Sequence, residues 1–328
     1  MMSTLRKKII IDTDPGIDDA LAICFALQSK ELEVLGLTTV YGNVHTHTAT
    51  QNALHLLEFF GHPNIPVALG ATAPIKGVEP LIASFAHGDD GLGNTGPQPP
   101  TIALPIKQPA AEFIINTVMA HPSEVTLLAI APLTNLALAL EQEPKIAQKV
   151  KEVVIMGGAI HVNGNVTPAA EANIYNDPDA ADRVLTAPWP VTLVPLDVTT
   201  TALMSDIYFE RIKNKGGKIG KYLYELTRFY SQYHRERNER QNQQNPEAIY
   251  GHDPLAAFYL THPHLFQTQK GAVRVVTDGV ARAKTLMDEC GGWLTDNGWT
   301  DMPAVNVVTG CDLQAFLDVF EETVCGTR

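Results

Sequence analysis

Four aspartates stand within eight positions near the start of the chain. They are Asp12, Asp14, Asp18 and Asp19, in the run KKIIIDTDPGIDDAL of residues 7–21. A helix cap accounts for one of these carboxylates, and a favourable position at a helix dipole accounts for a second. Four crowded like charges raise one another's pKa values and cost stability unless a cation neutralises them. Hard divalent cations prefer carboxylate oxygens, so the run predicts a metal site.

The residues around the aspartates predict a strand, a turn and a helix. Ile9–Ile11 form a β-branched run that is typical of a strand buried on both faces. A Pro-Gly pair ends this strand, and an apolar run from Ala20 predicts the helix. Side chains alternate along a strand, so Asp12 and Asp14 are expected on the same side. In an open α/β sheet, this strand end is where ligands bind.

The rest of the chain alternates predicted strands and helices. The predicted strands are residues 33–40, 65–69, 125–130, 150–156, 191–196, 271–276 and 304–308, and the predicted helices are residues 47–60, 110–120, 219–237 and 313–324, with another that opens at about residue 136. This alternation predicts an α/β fold with an open, mostly parallel, Rossmann-like sheet and helices on both faces. No linker or repeat divides the chain, so we expect one domain over residues 1–328.

Composition disfavours several classes of partner. The net charge of −12 arises from 24 Lys and Arg against 36 Asp and Glu. A chain this acidic is a poor candidate for binding nucleic acid or an anionic membrane. The four cysteines form no Cys-x-x-Cys pair, which disfavours a structural zinc site. The sequence has no signal-peptide pattern and no apolar span of about 18 residues. We therefore expect a cytoplasmic protein that acts on a neutral small molecule.

Two other aspartate-rich sites fit the run poorly. An EF-hand needs glycine at the sixth loop position and glutamate at the twelfth, and a count from either Asp12 or Asp14 finds neither. Haloacid dehalogenase phosphatases also carry Asp-x-Asp after a strand, but they place Thr or Val where this chain has Gly16. A metal-dependent phosphatase that uses Asp12 or Asp14 as nucleophile is therefore the weaker enzymatic alternative.

The run DTDPGIDDA, residues 12–20, resembles the N-terminal signature of the inosine–uridine nucleoside hydrolases. Further segments match the family in the same order: residues 130–135, 156–158, 164–165, 170–173, 177–181, 196–199 and 252–254. Ala131 departs from the family's usual glycine. The resemblance implies the nucleoside hydrolase fold, with the active site at the C-terminal ends of the strands. It also implies hydrolysis of the N-glycosidic bond of ribonucleosides to ribose and free base.

The resemblance implies a calcium ion and the residues that hold it. The ligands are Asp14, Asp19, Asp253 and the backbone carbonyl of Ile130. Asp14 is expected to activate a water bound to the ion. His252 is expected to face the leaving base as general acid, because histidine titrates in the useful range. Asp12 is expected to support these ligands from behind them.

Six residues fall on the family's substrate contacts: Asp18, Asn43, His87, Asn165, Glu171 and Asn173. The first two and Asn173 are expected to orient the ribose diol, and Asn165 and Glu171 to hold the 5′-hydroxyl. His87 lies in a long Gly- and Pro-rich stretch, residues 71–108. Within it, we interpret the run from His87 to Gly93 as a glycine-hinged flap over bound substrate.

The sequence determines neither the base preference nor the oligomeric state. His252 is compatible with purine and with pyrimidine substrates. Tyr230, Tyr233 and His234 lie near the end of a predicted helix, within reach of the base. The resemblance suggests a homo-oligomer, either a dimer or a tetramer. A calcium-dependent protein that binds nucleosides or sugars without catalysis is the non-enzymatic alternative, because binding and catalysis share ligands.

Overall fold

The computed structural model describes residues 6–240, 248–289, 291 and 298–326. The strands in these residues are β1 (Lys7–Thr13), β2 (Leu32–Thr39), β3 (Val67–Leu69), β4 (Val125–Ala129), β5 (Glu152–Met156), β6 (Val191–Val194), β7 (Leu203–Ser205), β8 (Ala248–Tyr250), β9 (Phe266–Val275), β10 (Thr285–Asp288) and β11 (Ala304–Cys311). The α-helices are α1 (Ile17–Gln28), α2 (Thr46–Phe59), α3 (Ser84–His87), α4 (Ala110–Ala120), α5 (Thr134–Gln142), α6 (Ala172–Asn176), α7 (Pro178–Leu185), α8 (Leu196–Thr199), α9 (Asp206–Lys215), α10 (Gly217–Arg240), α11 (His252–Thr261) and α12 (Leu313–Val324). Two 3₁₀ helices cover Pro144–Gln148 and Pro263–Leu265.

Within the described residues, nine strands form one sheet in the order β10-β9-β11-β6-β5-β4-β1-β2-β3. From β11 to β3, each strand is parallel to the next, whereas β9 pairs antiparallel with both β11 and β10 at one edge. A separate antiparallel pair joins β7 to β8. The prediction of an open, mostly parallel α/β sheet is confirmed. None of the described helices combines the length and the apolar character that crossing a bilayer requires.

The central strand β1 is buried on both faces, as its β-branched run predicts. Ile9 and Ile11 belong to one apolar cluster, and Ile10 belongs to a second cluster on the opposite face. All three side chains are at most 1% exposed. Helices therefore cover both sides of β1, and only the end of the strand is open to a ligand.

The stretch from residue 161 to 181 reads as a loop from its many asparagines, but it contains α6 and α7. Each helix has an acidic cap that the loop interpretation overlooks. The Glu171 carboxylate accepts the N–H groups of Asn173 and Ile174, and the Asp177 carboxylate accepts the N–H group of Ala180. Such caps satisfy the free N–H groups of a first turn. Short helices with good caps have too few turns to show an apolar period.

The glycine-rich segment at residues 87–96 is held by hydrogen bonds in this conformation, and its role as a flap over substrate stays a prediction. The Asp90 carboxylate accepts the N–H groups of Leu92, Asn94 and Gly96 at 2.7–3.0 Å. Asn52 on α2 donates to the carbonyl of Asp90 at 2.8 Å. The glycines of this segment adopt positive φ angles, so they serve as turn positions. The sequence of residues 235–244 is charged and amide-rich, which predicts a second, mobile flap. This segment begins inside α10, and residues 241–247 lie outside the described residues.

Candidate active site

One cavity at the C-terminal edge of the sheet gathers almost all the predicted site residues. It is lined by Asp18, Asn43, His87, Ile130, Met156, Asn165, Glu171, Ala172, Asn173, Tyr230, His252 and Asp253. Asp14 lines an adjoining cavity together with Asn43, Asn173 and His252. Segments far apart in the chain meet here because parallel strands end at the same edge of the sheet.

Three carboxylates form the floor of this cavity. Oxygens of Asp18, Asp19 and Asp253 all lie within 4.8 Å of one another, and all three residues are buried. Asp19 is held in place by the Thr13 hydroxyl at 2.5 Å and by the side-chain amide of Asn43 at 2.8 Å. Its second role is to cap α1, because it also accepts the Gly16 N–H at 3.0 Å.

Asp14 stands beside this cluster and is fixed by the loop after β2. Its carboxylate accepts the backbone N–H of Asn43 at 2.6 Å and the Asn43 side-chain amide at 3.4 Å. The loop approaches so closely that a Cβ atom on Gly42 would lie 1.9 Å from an Asp14 oxygen. Glycine is therefore required at position 42 for the carboxylate to keep this place.

Asp12 lies behind the cluster and joins neighbouring strands. One of its oxygens accepts the Thr38 hydroxyl at 2.5 Å and the Asn135 amide at 2.8 Å. Asn135 also donates to the carbonyl of Thr39 at 3.0 Å and accepts the Ala71 N–H at 2.9 Å. This network ties β1, β2 and α5 together beneath the cavity.

The floor carries more negative charge than its surroundings stabilise. Burial raises the pKa of Asp12 to about 7 and that of Asp18 to about 8. Burial also raises the pKa of Asp14, Asp19 and Asp253, and neighbouring aspartates raise those of Asp14 and Asp253 further. One oxygen of Asp18 is buried without a hydrogen-bond partner among the described residues. An all-oxygen donor set with unsatisfied charge fits a hard divalent cation.

Two neutral histidines face the same space. His87 accepts the backbone N–H of Ile17 at its Nδ1, at 3.1 Å, and His252 has its Nδ1 2.7 Å from the Thr199 hydroxyl. Burial lowers the pKa of each imidazole to about 3. A backbone N–H can only donate, so His87 carries its proton on Nε2. Both rings are therefore uncharged at neutral pH.

Aromatic rings from α10 and β8 line the other side of the cavity. The Tyr230 ring stacks on His87 with centroids 5.1 Å apart, and His234 packs edge-on against Tyr230 and Tyr250 at 4.3 and 4.9 Å. His234 is 2% exposed, and neither ring nitrogen has a hydrogen-bond partner among the described residues. Beside this wall lies an open cavity of about 490 Å³, lined in part by Tyr250 and His252.

Comparisons with known proteins agree with this geometry. The sequence model of the inosine-uridine preferring nucleoside hydrolase family matches residues 9–318. The chain belongs to this family. It is 44% identical to uridine nucleosidase 1 of Arabidopsis thaliana, over 95% of this chain and 91% of the relative. A solved plant nucleoside hydrolase is 44% identical with a TM-score of 0.93, covering 97% of this chain and 98% of its own. The purine-preferring ribonucleoside hydrolase of Gardnerella vaginalis is 33% identical with a TM-score of 0.88, covering 98% of each chain.

The family establishes the class of reaction for this nucleoside hydrolase. It is an N-glycosyl hydrolase that cleaves ribonucleosides to ribose and free base, as predicted. The family is metal-dependent, and the floor of the cavity supplies an acidic cluster that can bind a metal. The alternatives of a phosphatase and of a non-catalytic binding protein receive no support from these relatives.

Several predicted substrate contacts also hold the site together. Asn165 accepts the Ala172 N–H at 3.0 Å, and Asn173 donates to the carbonyl of Met156 at 3.1 Å. The Glu171 carboxylate accepts the N–H of Gly158 at 3.0 Å in addition to capping α6. The assigned roles toward substrate stay predictions, while the structure adds a local role for each side chain.

Two residues of the hydrolase went unnoticed in the sequence. Asn135 holds Asp12, and Thr199 holds His252. Both lie inside segments that match the family, residues 130–135 and 196–199. The signal was therefore present, but a polar residue next to a helix start also fits a helix cap or a turn.

Proposed function

We propose that this nucleoside hydrolase binds Ca²⁺ with Asp14, Asp19, Asp253 and the carbonyl of Ile130. The buried carboxylate cluster carries this proposal, because its raised pKa values mark a negative charge that a cation would neutralise. Asp18 supplies a further oxygen in the same cluster. When bound, such an ion acidifies a coordinated water and accepts hydroxyl oxygens of the ribose diol.

Asp14 is the proposed general base. Its carboxylate is held by Asn43 and lines the same cavity as His252, where it can take a proton from a bound water. The Asn43 and Asn173 side chains, together with Asp18, orient the ribose diol, and Asn165 and Glu171 hold the 5′-hydroxyl. As the glycosidic bond lengthens, the carboxylates stabilise the positive charge that develops on the ribose ring.

His252 is proposed to face the leaving base. Its pKa of about 3 means that the ring is neutral at physiological pH, so a protonated imidazole is not its resting form. The structure therefore favours a hydrogen bond from a neutral N–H to the departing base over transfer of an imidazolium proton. The sequence assigns His252 the role of general acid because an ordinary histidine titrates near neutral pH. The lowered pKa replaces that reason with hydrogen bonding by a neutral ring.

We further propose that uridine is a preferred substrate. The relative from Arabidopsis thaliana at 44% identity is named for uridine, whereas the purine-preferring relative is 33% identical. A neutral hydrogen-bond donor suits a pyrimidine base, whose carbonyl oxygens share the charge of the departing anion. The base sits in the cavity beside Tyr250 and Arg237.

A ribose-release assay tests these proposals. Purified protein is incubated with uridine, cytidine and inosine, first as prepared, then after treatment with a calcium chelator, and then with calcium restored. We expect ribose from uridine fastest, loss of activity on chelation, and recovery with calcium. Recovery with magnesium or zinc alone would overturn the choice of ion, and a faster rate with inosine would overturn the base preference.

The remaining proposals concern the whole molecule. One sheet contains strands from Lys7 to Cys311, which supports a single domain over residues 1–328. The family resemblance supports a dimer or a tetramer, and the cytoplasmic location stays a prediction. Sedimentation equilibrium measures the oligomeric state, and a monomer at micromolar concentration would contradict the proposed dimer or tetramer.

A further inference from the structure

The hydroxyl group of Thr199 touches the catalytic histidine from the side away from the cavity. Thr199 is the last residue of α8, it is fully buried, and its Oγ1 lies 2.7 Å from Nδ1 of His252. His252 begins α11, so the contact joins two elements that are 53 positions apart in the chain. A contact of this length is a hydrogen bond, and only its direction remains to be determined.

The neighbouring threonines indicate that direction. Thr200 and Thr201 donate their hydroxyl protons to the carbonyls of Leu196 and Val198, both at 2.6 Å. The Thr199 hydroxyl has no such carbonyl among the described residues, so Nδ1 of His252 is the acceptor available for its proton. A hydroxyl that donates to Nδ1 requires Nδ1 to be unprotonated.

The second ring nitrogen of His252 then carries the proton and meets the cavity. His252 lines the cavities that hold the predicted ribose and base contacts. Among the described residues, Nδ1 is hydrogen-bonded to Thr199, whereas Nε2 has no hydrogen-bond partner. Because the ring lines the cavity, Nε2–H is the donor that His252 offers to a bound substrate.

We propose that Thr199 is a positioning residue that fixes His252 in the tautomer with its proton on Nε2. The inference rests on the role proposed for His252. When the C1′–N1 bond of uridine breaks, its electron pair moves into the uracil ring and onto the carbonyl oxygens. The oxygen of the water that Asp14 deprotonates bonds to C1′, and the uracil anion takes up a proton from solvent as it leaves. The Nε2–H group donates a hydrogen bond to that developing charge. The opposite tautomer would present a lone pair to it and would repel the leaving base.

The first test combines two leaving groups with matched threonine variants. Thr199→Val removes the hydroxyl and keeps the shape, Thr199→Ser keeps the hydroxyl, and Thr201→Val is the control because its hydroxyl bonds only a backbone carbonyl. The substrates are uridine and 4-nitrophenyl β-D-ribofuranoside, whose nitrophenolate leaves without a donor. We expect Thr199→Val to lower kcat for uridine by about 10- to 100-fold with KM changed by less than about 3-fold.

The same variant should lower kcat for the nitrophenyl riboside by less than about 3-fold, and Thr199→Ser should restore uridine hydrolysis. In a His252→Ala background, Thr199→Val should add no further loss, because the two residues act as one unit. Equal losses on both substrates, failure of the serine variant, or a full additional loss in the double variant would each overturn the proposal. If the wild-type enzyme hydrolyses neither substrate, the proposed function itself fails.

A second measurement does not depend on the folding of any Thr199 variant. The wild-type enzyme is labelled with ¹⁵N-histidine, and His252 is assigned by the signals that disappear in His252→Gln. We expect the pattern of a neutral ring with a proton on Nε2 and none on Nδ1. A proton on Nδ1 would contradict the proposed direction of the hydrogen bond.

Discussion

The floor and the wall of the active site differ in electrostatic character, because the floor consists of carboxyl groups and the wall of uncharged rings. The floor, formed by Asp18, Asp19 and Asp253, concentrates carboxyl groups together with Asp14 beside it and Asp12 behind it, and burial raises the pKa of all five. The wall, formed by His87, Tyr230, His234, Tyr250 and His252, is neutral, and burial lowers the pKa of its histidines.

The difference between the floor and the wall indicates how the hydrolase divides its work. In the proposed mechanism, ionised floor carboxylates bind a cation and stabilise a positive ribose, and these interactions are strong in a buried site. The uncharged histidines of the wall are proposed to stabilise a departing base through oriented N–H groups. The floor should therefore affect all substrates alike, whereas the wall should distinguish one leaving group from another.

The largest expected effect comes from the floor. Asp14→Ala removes the proposed base and a proposed metal ligand, and we expect kcat to fall by about 1,000-fold or more for uridine, inosine and 4-nitrophenyl β-D-ribofuranoside alike. Initial rates of ribose release measure this for the nucleosides, and nitrophenolate absorbance measures it for the third substrate. Asp89→Asn, on an exposed loop residue, is the matched control. Retention of more than a tenth of the activity on any of these substrates would remove Asp14 from the mechanism.

A smaller and selective effect is expected from the wall. His252→Ala should lower kcat for uridine by about 100-fold, because the leaving uracil loses its hydrogen-bond donor. The nitrophenyl riboside should lose less than about 5-fold, because its leaving group needs no donor. Parallel kinetics on the two substrates provide the comparison. Equal losses would show that wall and floor do not differ in this respect.

Metal removal and pH should change stability together. Unfolded aspartates titrate near pH 4, whereas the folded Asp12 and Asp18 have pKa values of about 7 and about 8. The folded protein without metal therefore binds more protons than the unfolded chain between about pH 4 and pH 8. Its free energy of unfolding should fall as pH rises through this window, and bound calcium should reduce that fall by stabilising the ionised carboxylates.

Calorimetry in chelator and in calcium, at about pH 5.5 and about pH 8, measures this effect. From about pH 5.5 to about pH 8, we expect the Tm to fall by several degrees in chelator and by much less in calcium. Asp18→Asn should weaken the fall in chelator, because it removes one of the raised carboxyls. A chelated protein that is equally stable at both pH values would contradict the raised pKa values of the floor.

The smallest expected effect concerns Glu171, which caps α6 and is also proposed to bind the 5′-hydroxyl of the substrate. Its carboxylate accepts three backbone N–H groups, from Gly158, Asn173 and Ile174. Glu171→Ala should therefore lower the free energy of unfolding by about 1–2 kcal/mol through the lost cap of α6. Glu171→Gln keeps one acceptor oxygen and should lose less stability. Urea unfolding of both variants measures the cap.

The 5′-hydroxyl contact proposed for Glu171 is tested separately. If the carboxylate binds this hydroxyl, Glu171→Gln should raise KM for uridine by a few-fold and leave KM for 5′-deoxyuridine unchanged. Equal KM changes for both nucleosides would mean that the residue acts on substrate only through the loop it caps.

The sequence by itself determined the sheet, the metal-binding character of the floor and the family. A β-branched run such as Ile9–Ile11 has no low-energy place except a strand covered on both faces. Four aspartates beside its end leave a cation as the simplest source of neutralising charge. Patterns of this kind depend on neighbouring residues, so they can be recognised from one segment.

Only the tertiary structure decided the chemistry of the wall and the second roles of the site residues. The pKa of His252 depends on its burial beside the Tyr250 ring of β8 and near Arg237 of α10, and its tautomer depends on Thr199. Glu171 also proves to be a cap. Burial and hydrogen-bond partners come from segments far apart in the chain, and single-segment patterns carry no information about them.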